Sequence, residues 1–347
     1  MTDTTGFYSP ITSRPLVEGT FLTRPNRFSV HCMIDGRETN VFMPNPGRMK
    51  ELLLPGVKLI LADHGRQDYR KTRYTVMAVK YQDHIVFLHT HLNNVASQRL
   101  IDARAIPGLR DFGVERTEVT VGDHRFDMLL RDGEGDLYLE VKSCTLSANG
   151  IAMFPDAVTE RGRRHLLSLA RMNREGQRSA LLFLIHHGNA NRFLPDYHTD
   201  LAFSSAFCDV EDRLPVIAVA LEWTPDLRYR ISNPRVTIPW DVIRWECVDR
   251  GHLVQVERDG TGYRVSLTRY LIELSKKTRK RSGEVYPVRT SIDVSNDMAD
   301  VLSELYGTPV ENAVGWDFRC VSYPVSTPGF QQALLDFRMP RRLRGTE

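Results

Sequence analysis

The pattern of apolar and polar positions changes character twice along this chain. Between residues 16 and 90 apolar residues come in short runs: "RFSVHCMI" (27–34), "VKLILA" (57–62), "RYTVMAVK" (73–80) and "HIVFLHT" (84–90). Turn formers divide them: "DGR" at 35–37, "NPG" at 45–47, "PG" at 55–56 and "DHGRQD" at 63–68. About five short strands at this spacing predict a small barrel or sandwich.

After residue 92 strands alternate with helices. "NNVASQRLIDARA" (93–105) predicts a helix, and strands follow at 114–121, 124–130 and 137–143. A second helix is expected over 159–174, with Thr159 as its N-cap and Gly176 as its stop. "SALLFLIHH" (179–187) is almost wholly apolar, the mark of a strand covered on both faces. This order predicts an α/β core. From residue 235 a third segment begins. It combines a hairpin at 252–267 turning at Asp259-Gly260 with helices at 268–277 and 296–307, a small α+β module. The expected organisation is a variable N-terminus (1–15), a barrel domain (16–90), an α/β domain (91–234) and the extra module (235–347).

One strand breaks its own pattern. In "GDLYLEVKSCTL" (135–146) Leu137, Leu139 and Val141 share one face, and Tyr138, Glu140 and Lys142 the other. An edge strand with a weak ion pair explains that equally well. Upstream lies "HRFDMLLRDGEGD" (124–136), with Phe126, Met128 and Leu130 on one face and Arg125, Asp127 and Leu129 on the other. A reversal at Gly133-Glu134 pairs the two segments so that opposed residue numbers sum to 267, and Asp127 faces Glu140. Two carboxylates so close repel unless one is protonated or a cation lies between them. Mg²⁺ or Mn²⁺ suits such a site, and Lys142 stands ready to activate a water or neutralise a phosphoryl oxygen.

Composition narrows the classes. The chain has 347 residues, 41% of them hydrophobic and 26% charged, which suits two or three soluble domains. No apolar run approaches the ~20 residues that span a bilayer, and no signal-peptide pattern opens the chain. Five scattered cysteines form no CxxC pair, so a reducing cytoplasm is expected. Net charge is only +3, but cations cluster at 161–174, 276–281 and 338–344, as solvated faces or as contacts to a polyanion. Nothing resembles a Walker loop, a GxSxG elbow or a GxGxxG turn. His186 and His187 would point to opposite faces of one strand and could not chelate together.

Asp127, Glu140 and Lys142 resemble the D…ExK signature of PD-(D/E)xK nucleases, with Phe126 where the proline would stand. "RPNRF" (24–28), "MPNPGRMKELLLPG" (43–56), "RKTRY" (70–74), "EVKSCTL" (140–146), "FPDAVTERGRRHLLSL" (154–169) and "EGQRSALLFLIHHGNANRFLPDYHTD" (175–200) together resemble the sugar fermentation stimulation protein A family over about residues 16–232. That resemblance implies an N-terminal OB-fold that binds DNA and a PD-(D/E)xK nuclease-like domain. It implies nucleic-acid contacts by Arg24, Arg27, Asn45, Arg48, Arg70, Lys71, Arg125, Arg161 and His165, with Phe28 and Tyr74 as stacking rings. Many relatives carry a histidine where Phe42 stands. Asp127, Glu140 and the Val141 carbonyl would hold the metal, Lys142 would complete the catalytic set, and Glu118 and Asp156 would support it. Two functions follow: a Mg²⁺- or Mn²⁺-dependent phosphodiesterase acting on single-stranded or structured DNA, or a non-catalytic DNA-binding regulator of sugar-utilisation genes. The extra module would widen the footprint or support a homodimer.

Overall fold

The computed structural model describes residues 6–49, 52–122, 124–148, 150–196, 199–240, 243, 253–259, 262–268 and 291–294. The chain divides into two compact units. One comprises Met1–Leu146, Arg164–Phe193 and Val210–Ile238; the other comprises Ser147–Arg163, Leu194–Asp209 and Pro239–Glu347.

The first unit begins with strands β1 (Leu16–Asn26), β2 (Ser29–Ile34), β3 (Arg37–Phe42), β4 (Lys58–Asp63), β5 (Tyr74–Tyr81) and β6 (His84–Phe87), in sheet order β3-β2-β1-β4-β5-β6. A parallel pairing of Phe42 with Thr75 joins β3 to β5 and closes five of these strands into the expected OB barrel. Val30, Val41, Met43, Leu59, Leu61 and Val76 fill its interior. At Gly19 a Cβ would lie 2.8 Å from Leu61 Cδ1 and 3.3 Å from Cys32 Cβ, so a side chain there would have to push Leu61 aside within the core.

Helix α1 (Asn93–Asp102) leads into β7 (Gly113–Val121), β8 (His124–Asp132) and β9 (Gly135–Cys144). With β12 (Ser179–Ile185), β14 (Val216–Trp223) and β15 (Tyr229–Asn233) these form a mixed sheet, β15-β14-β12-β9-β8-β7. Parallel neighbours flank β12 on both sides and every one of its residues is buried, as its apolar run requires. Ile60, Met77 and Phe87 of the barrel, Ala96, Leu100 and Ile101 of α1, and Met128, Leu139, Leu182 and Val219 of the sheet share one core. Tyr8 and Ile11 complete it, bonded through their backbone to Tyr229 and Leu227.

Helix α2 (Glu160–Arg174) starts where Thr159 Oγ1 accepts the Gly162 N–H at 3.0 Å and stops before Gly176, whose φ is +84°. Strands β10 (Leu146–Ala148), β11 (Ile151–Phe154) and β13 (Arg192–Pro195) form a small sheet in the order β10-β11-β13, and α3 (Leu201–Asp209) belongs to the second unit. Farther on, β16 (Leu253–Asp259), β17 (Gly262–Thr268) and β18 (Ser291–Val294) form an antiparallel sheet. Asp259 stands opposite Gly262, so the predicted hairpin is present with its turn one residue later than expected. The helices expected at 268–277 and 296–307 fall outside the described residues apart from Thr268, which ends β17.

Candidate active site

The β8–β9 hairpin has the expected register: Met128–Leu139, Leu129–Tyr138, Leu130–Leu137, Arg131–Asp136 and Asp132–Gly135 all sum to 267. The ladder ends at Met128–Leu139, while β8 continues with β7 and β9 continues with β12. Asp127 therefore lies where the two strands fork. With no β8 carbonyl opposite, the Val141 N–H donates to Asp127 Oδ2 at 2.8 Å. Asn94, in the first turn of α1, donates through Nδ2 to Oδ1 at 3.0 Å.

The side-chain alternation expected for β8 does not hold through this point. Met128 and Leu130 enter the core with Leu139, but Phe126 packs on Tyr138 and His165 instead. The strand changes face around Asp127. Opposite it in the β7 ladder stands Glu118, whose φ of +56° is unusual for a side chain other than glycine. Local distortion of this kind re-aims a side chain without interrupting a sheet.

Glu140 is almost wholly buried. Its Oε1 takes a hydrogen bond from Lys142 Nζ and lies 2.7 Å from His165 Nδ1. Its Oε2 is buried with no hydrogen-bond partner among the described residues. Burial raises the pKa of Glu140, but the His165 hydrogen bond and the Lys142 charge outweigh it and hold the carboxyl below its usual range. Burial, then the negative charge of Glu140, push Asp127 the other way, above its usual value. Without a cation, a proton shared by the pair would reside on Asp127.

An orphaned buried carboxylate oxygen is an acceptor awaiting a donor or a cation. The N–H and C=O of one strand residue point the same way, so the Val141 carbonyl is directed to the β8 side of β9, as its N–H is. The fork thus offers two carboxylates and a carbonyl, an all-oxygen set fitting a hard divalent cation that keeps water on its remaining positions. Among the described residues no group of three His, Cys, Asp or Glu gathers as a metal site.

Glu118 pairs with Arg125 at 2.8 Å, both well exposed. Asp156 and Arg161 belong to the second unit. His165, expected on nucleic acid, is buried against Glu140. Arg24 donates to the carbonyls of Gly47, Arg48, Arg27 and Asn45 at 2.6–2.8 Å. Asn45 is buried, donating to the Leu88 carbonyl at 3.0 Å and accepting the Gly47 N–H at 2.9 Å. Arg70 donates to Thr75 Oγ1 at 3.0 Å, whereas Arg27, Arg48 and Lys71 are exposed. Phe28 is exposed, but Tyr74 is a core residue with Arg73 over its ring, so it cannot serve as a stacking platform. Asn94 and the exposed Tyr69 were not anticipated. Asn94 bonds across 33 residues of sequence, and Tyr69 belongs to a loop without periodicity.

Residues 91–226 match the family model described as the sugar fermentation stimulation protein RE domain, and residues 22–88 match the SfsA N-terminal OB domain. A sugar fermentation stimulation protein homolog from Moorella thermoacetica is 40% identical over 191 residues, 55% of this chain and 82% of the relative. Its counterpart from Methanothermobacter thermautotrophicus is 38% identical over 196 residues, 56% of this chain and 81% of the relative. The structure of Pyrococcus furiosus SfsA in complex with Ca²⁺ is similar with a TM-score of 0.61 and 25% identity, covering 67% of this chain and 99% of that one.

Proposed function

Given that the chain belongs to the sugar fermentation stimulation protein family, we propose that it is a DNA-binding protein whose β8–β9 fork is a metal-dependent phosphodiesterase site. The domain organisation proposed is the barrel over 16–90, the α/β domain over 91–234 and an additional module over 235–347. The observation that carries the catalytic reading is the buried, unpartnered Glu140 Oε2 beside Asp127. A pure binding surface has no use for two converging carboxylates, which repel phosphate.

Asp127, Glu140 and the Val141 carbonyl would hold Mg²⁺ or Mn²⁺; a relative has been seen with Ca²⁺, another hard, oxygen-seeking cation. When bound, such an ion supplies charge neutralisation at the phosphate and a more acidic water. The chain's own residues prepare for that. Asn94 and the Val141 N–H fix both oxygens of Asp127. His165 fixes Glu140. Lys142 Nζ holds or moves the proton of an attacking water, or meets a phosphoryl oxygen. Glu118 and Asp156 are proposed as outer support. Arg27, Arg48 and Lys71 would contact phosphates directly, joined by Arg70, Arg125 and Arg161, while Arg24 and Asn45 would act by holding the 45–48 loop in shape.

The alternative, a DNA-binding regulator without catalysis, has one observation in its favour: Glu140 Oε1 is already engaged by both Lys142 and His165. Cleavage of labelled single-stranded, duplex and flap DNA with Mn²⁺, Mg²⁺ or EDTA separates the two. Metal-dependent cleavage reduced about 10²–10⁴-fold in Asp127→Asn is expected. Binding with no cleavage of any substrate, or cleavage unaffected by Asp127→Asn, would sink the catalytic reading.

A further inference from the structure

The structure assigns a second role to one end of the barrel: we propose that Phe28 and Tyr69 form a stacking platform for the bases of single-stranded nucleic acid. This rests on reading the chain as a nucleic-acid-binding protein; it narrows the expected single-stranded or structured DNA to single strands and puts Tyr69 in place of Tyr74 beside Phe28.

Strand registers bring three loops to this end. Ser29 pairs with Phe42, and Phe42 with Thr75. The Met43 N–H bonds the Phe28 carbonyl at 2.9 Å, tying the β1–β2 turn to the start of the β3–β4 loop. His64 Nε2 lies 2.9 Å from Thr75 Oγ1, which also accepts from Arg70 at 3.0 Å, so the β4–β5 loop closes over the same strand end. These include the two loops by which OB folds bind oligonucleotides.

Three of the exposed large apolar side chains lie in these loops, and two of them are aromatic: Phe28 is 52% exposed and Tyr69 is 83% exposed, with the aliphatic Leu54 the third. Neither ring completes a core, whereas Tyr74 beside them does. Exposed cations accompany them: Arg27 beside Phe28, Arg48 in the β3–β4 loop, and Arg66 and Lys71 flanking Tyr69. Asp68 is the one acid among residues 64–73, and Arg73 already neutralises Asp63 at the loop's base. Rings interleaved with cations match a strand whose phosphates and base faces are both available. Duplex hides its base faces in the stack, so the rings select single strands.

The loop scaffold also runs directly towards the candidate active site. Thr90 Oγ1 donates to the Pro44 carbonyl at 2.6 Å and Asn45 Nδ2 to the Leu88 carbonyl. One turn beyond Thr90, Asn94 grips Asp127. A strand on Phe28 and Tyr69 is therefore held by the same frame that positions the carboxylate.

The test is binding of a labelled oligothymidylate and of a blunt duplex to the full chain in EDTA, which removes catalysis from the measurement. Tyr69→Ala and Phe28→Ala should each weaken single-strand binding roughly tenfold, leave duplex binding unchanged, and leave the urea midpoint unchanged. Tyr69→Phe, which keeps the ring, should bind as wild type. Wild-type affinity in Tyr69→Ala, or an equal loss for both forms, overturns the platform. Wild-type protein that binds duplex but not the oligothymidylate also overturns it while leaving the nucleic-acid reading intact. Failure to bind either form removes that broader reading, and the platform with it.

Discussion

Arg24 and the Asp127–Glu140 pair both bring charge out of water within the first unit, and they resolve it in opposite ways. Around Arg24 the chain curls until four carbonyls meet the guanidinium, each already fixed by the loop it belongs to. At the β8–β9 fork one carboxylate oxygen has no partner among the described residues and two negative groups push against each other. A charge met on several sides by backbone carbonyls is structural. Incompletely answered charge costs stability and persists where a ligand completes it. Charged residues that sequence alone marks equally as site candidates thus divide into scaffold and site.

Burial can also be resolved by remaining neutral, and an acid challenge sharpens the contrast most strongly. Burial holds His186 down at about 3 and His187 at about 4, both from 6.5. His186 accepts from Trp223 Nε1 at 3.1 Å, and His187 lies 2.9 Å from the Thr145 carbonyl. Their folded pKa values lie below the unfolded one, so the unfolded chain takes up protons first. The stability they contribute is present above pH 6.5 and is lost as pH falls towards 4. A loss of about 3 kcal/mol for each histidine, about 6 kcal/mol for the two, is expected across that window, at about 1.4 kcal/mol for each tenfold difference in proton affinity until local opening intervenes. Urea midpoints measured against pH check it. His186→Gln with His187→Gln should flatten the curve, and an unchanged slope would remove these histidines as the cause.

The Arg24 side of the comparison breaks next. Arg24→Met keeps the apolar stem and removes every bond to the four carbonyls. A loss of about 2–3 kcal/mol is expected, less than the sum of four charge-assisted bonds because water reaches the loop. Arg27→Met, at an exposed cation, should shift the midpoint by no more than about 0.5 kcal/mol. Equal effects at the two positions would mean that Arg24 is surface charge after all.

The sequence made the elements with strong local signals legible, and the site only in part. The hairpin register followed from Gly133, Gly135 and side-chain alternation, and the bounds of α2 from Thr159 and Gly176. β12 announced itself because both its faces are covered. β1 was hidden by Gly19 and Pro25, and β3 by its polar residues, since a barrel wall needs inward-facing apolar side chains only at alternate positions. β14 and β15 were missed between the long apolar run and the Pro-rich segment, although Val216–Trp223 is half of the parallel frame around β12. At the site, Asp127, Glu140 and Lys142 were legible from spacing. The face change at Asp127 was not, because nothing in the local alternation of 124–130 marks it; it accompanies a positive φ at Glu118 on the neighbouring strand. Arg24 read as a phosphate contact because no local pattern distinguishes a guanidinium that meets carbonyls from one that meets solvent.

The finest test of the comparison asks what Asp127 does to the fold when no cation is present. Its carboxyl pKa is raised by burial first and by Glu140 second, so at neutral pH its ionised form works against the folded state. Asp127→Asn keeps the shape and removes that charge. The amide oxygen can still accept the Val141 N–H; the Asn94 contact then depends on which side-chain amide turns. In EDTA the variant should be more stable than wild type by about 0.5–2 kcal/mol, the size of gain seen when a strained functional group is relaxed. Adding Mn²⁺ should reverse the order, raising the wild-type midpoint by mass action while leaving Asp127→Asn where it was. Thermal unfolding of both proteins, with and without Mn²⁺, reads all four values. Destabilisation by Asp127→Asn in EDTA would show Asp127 to be a scaffold residue like Arg24, bound into the fork by Val141 and Asn94 with no cation wanted.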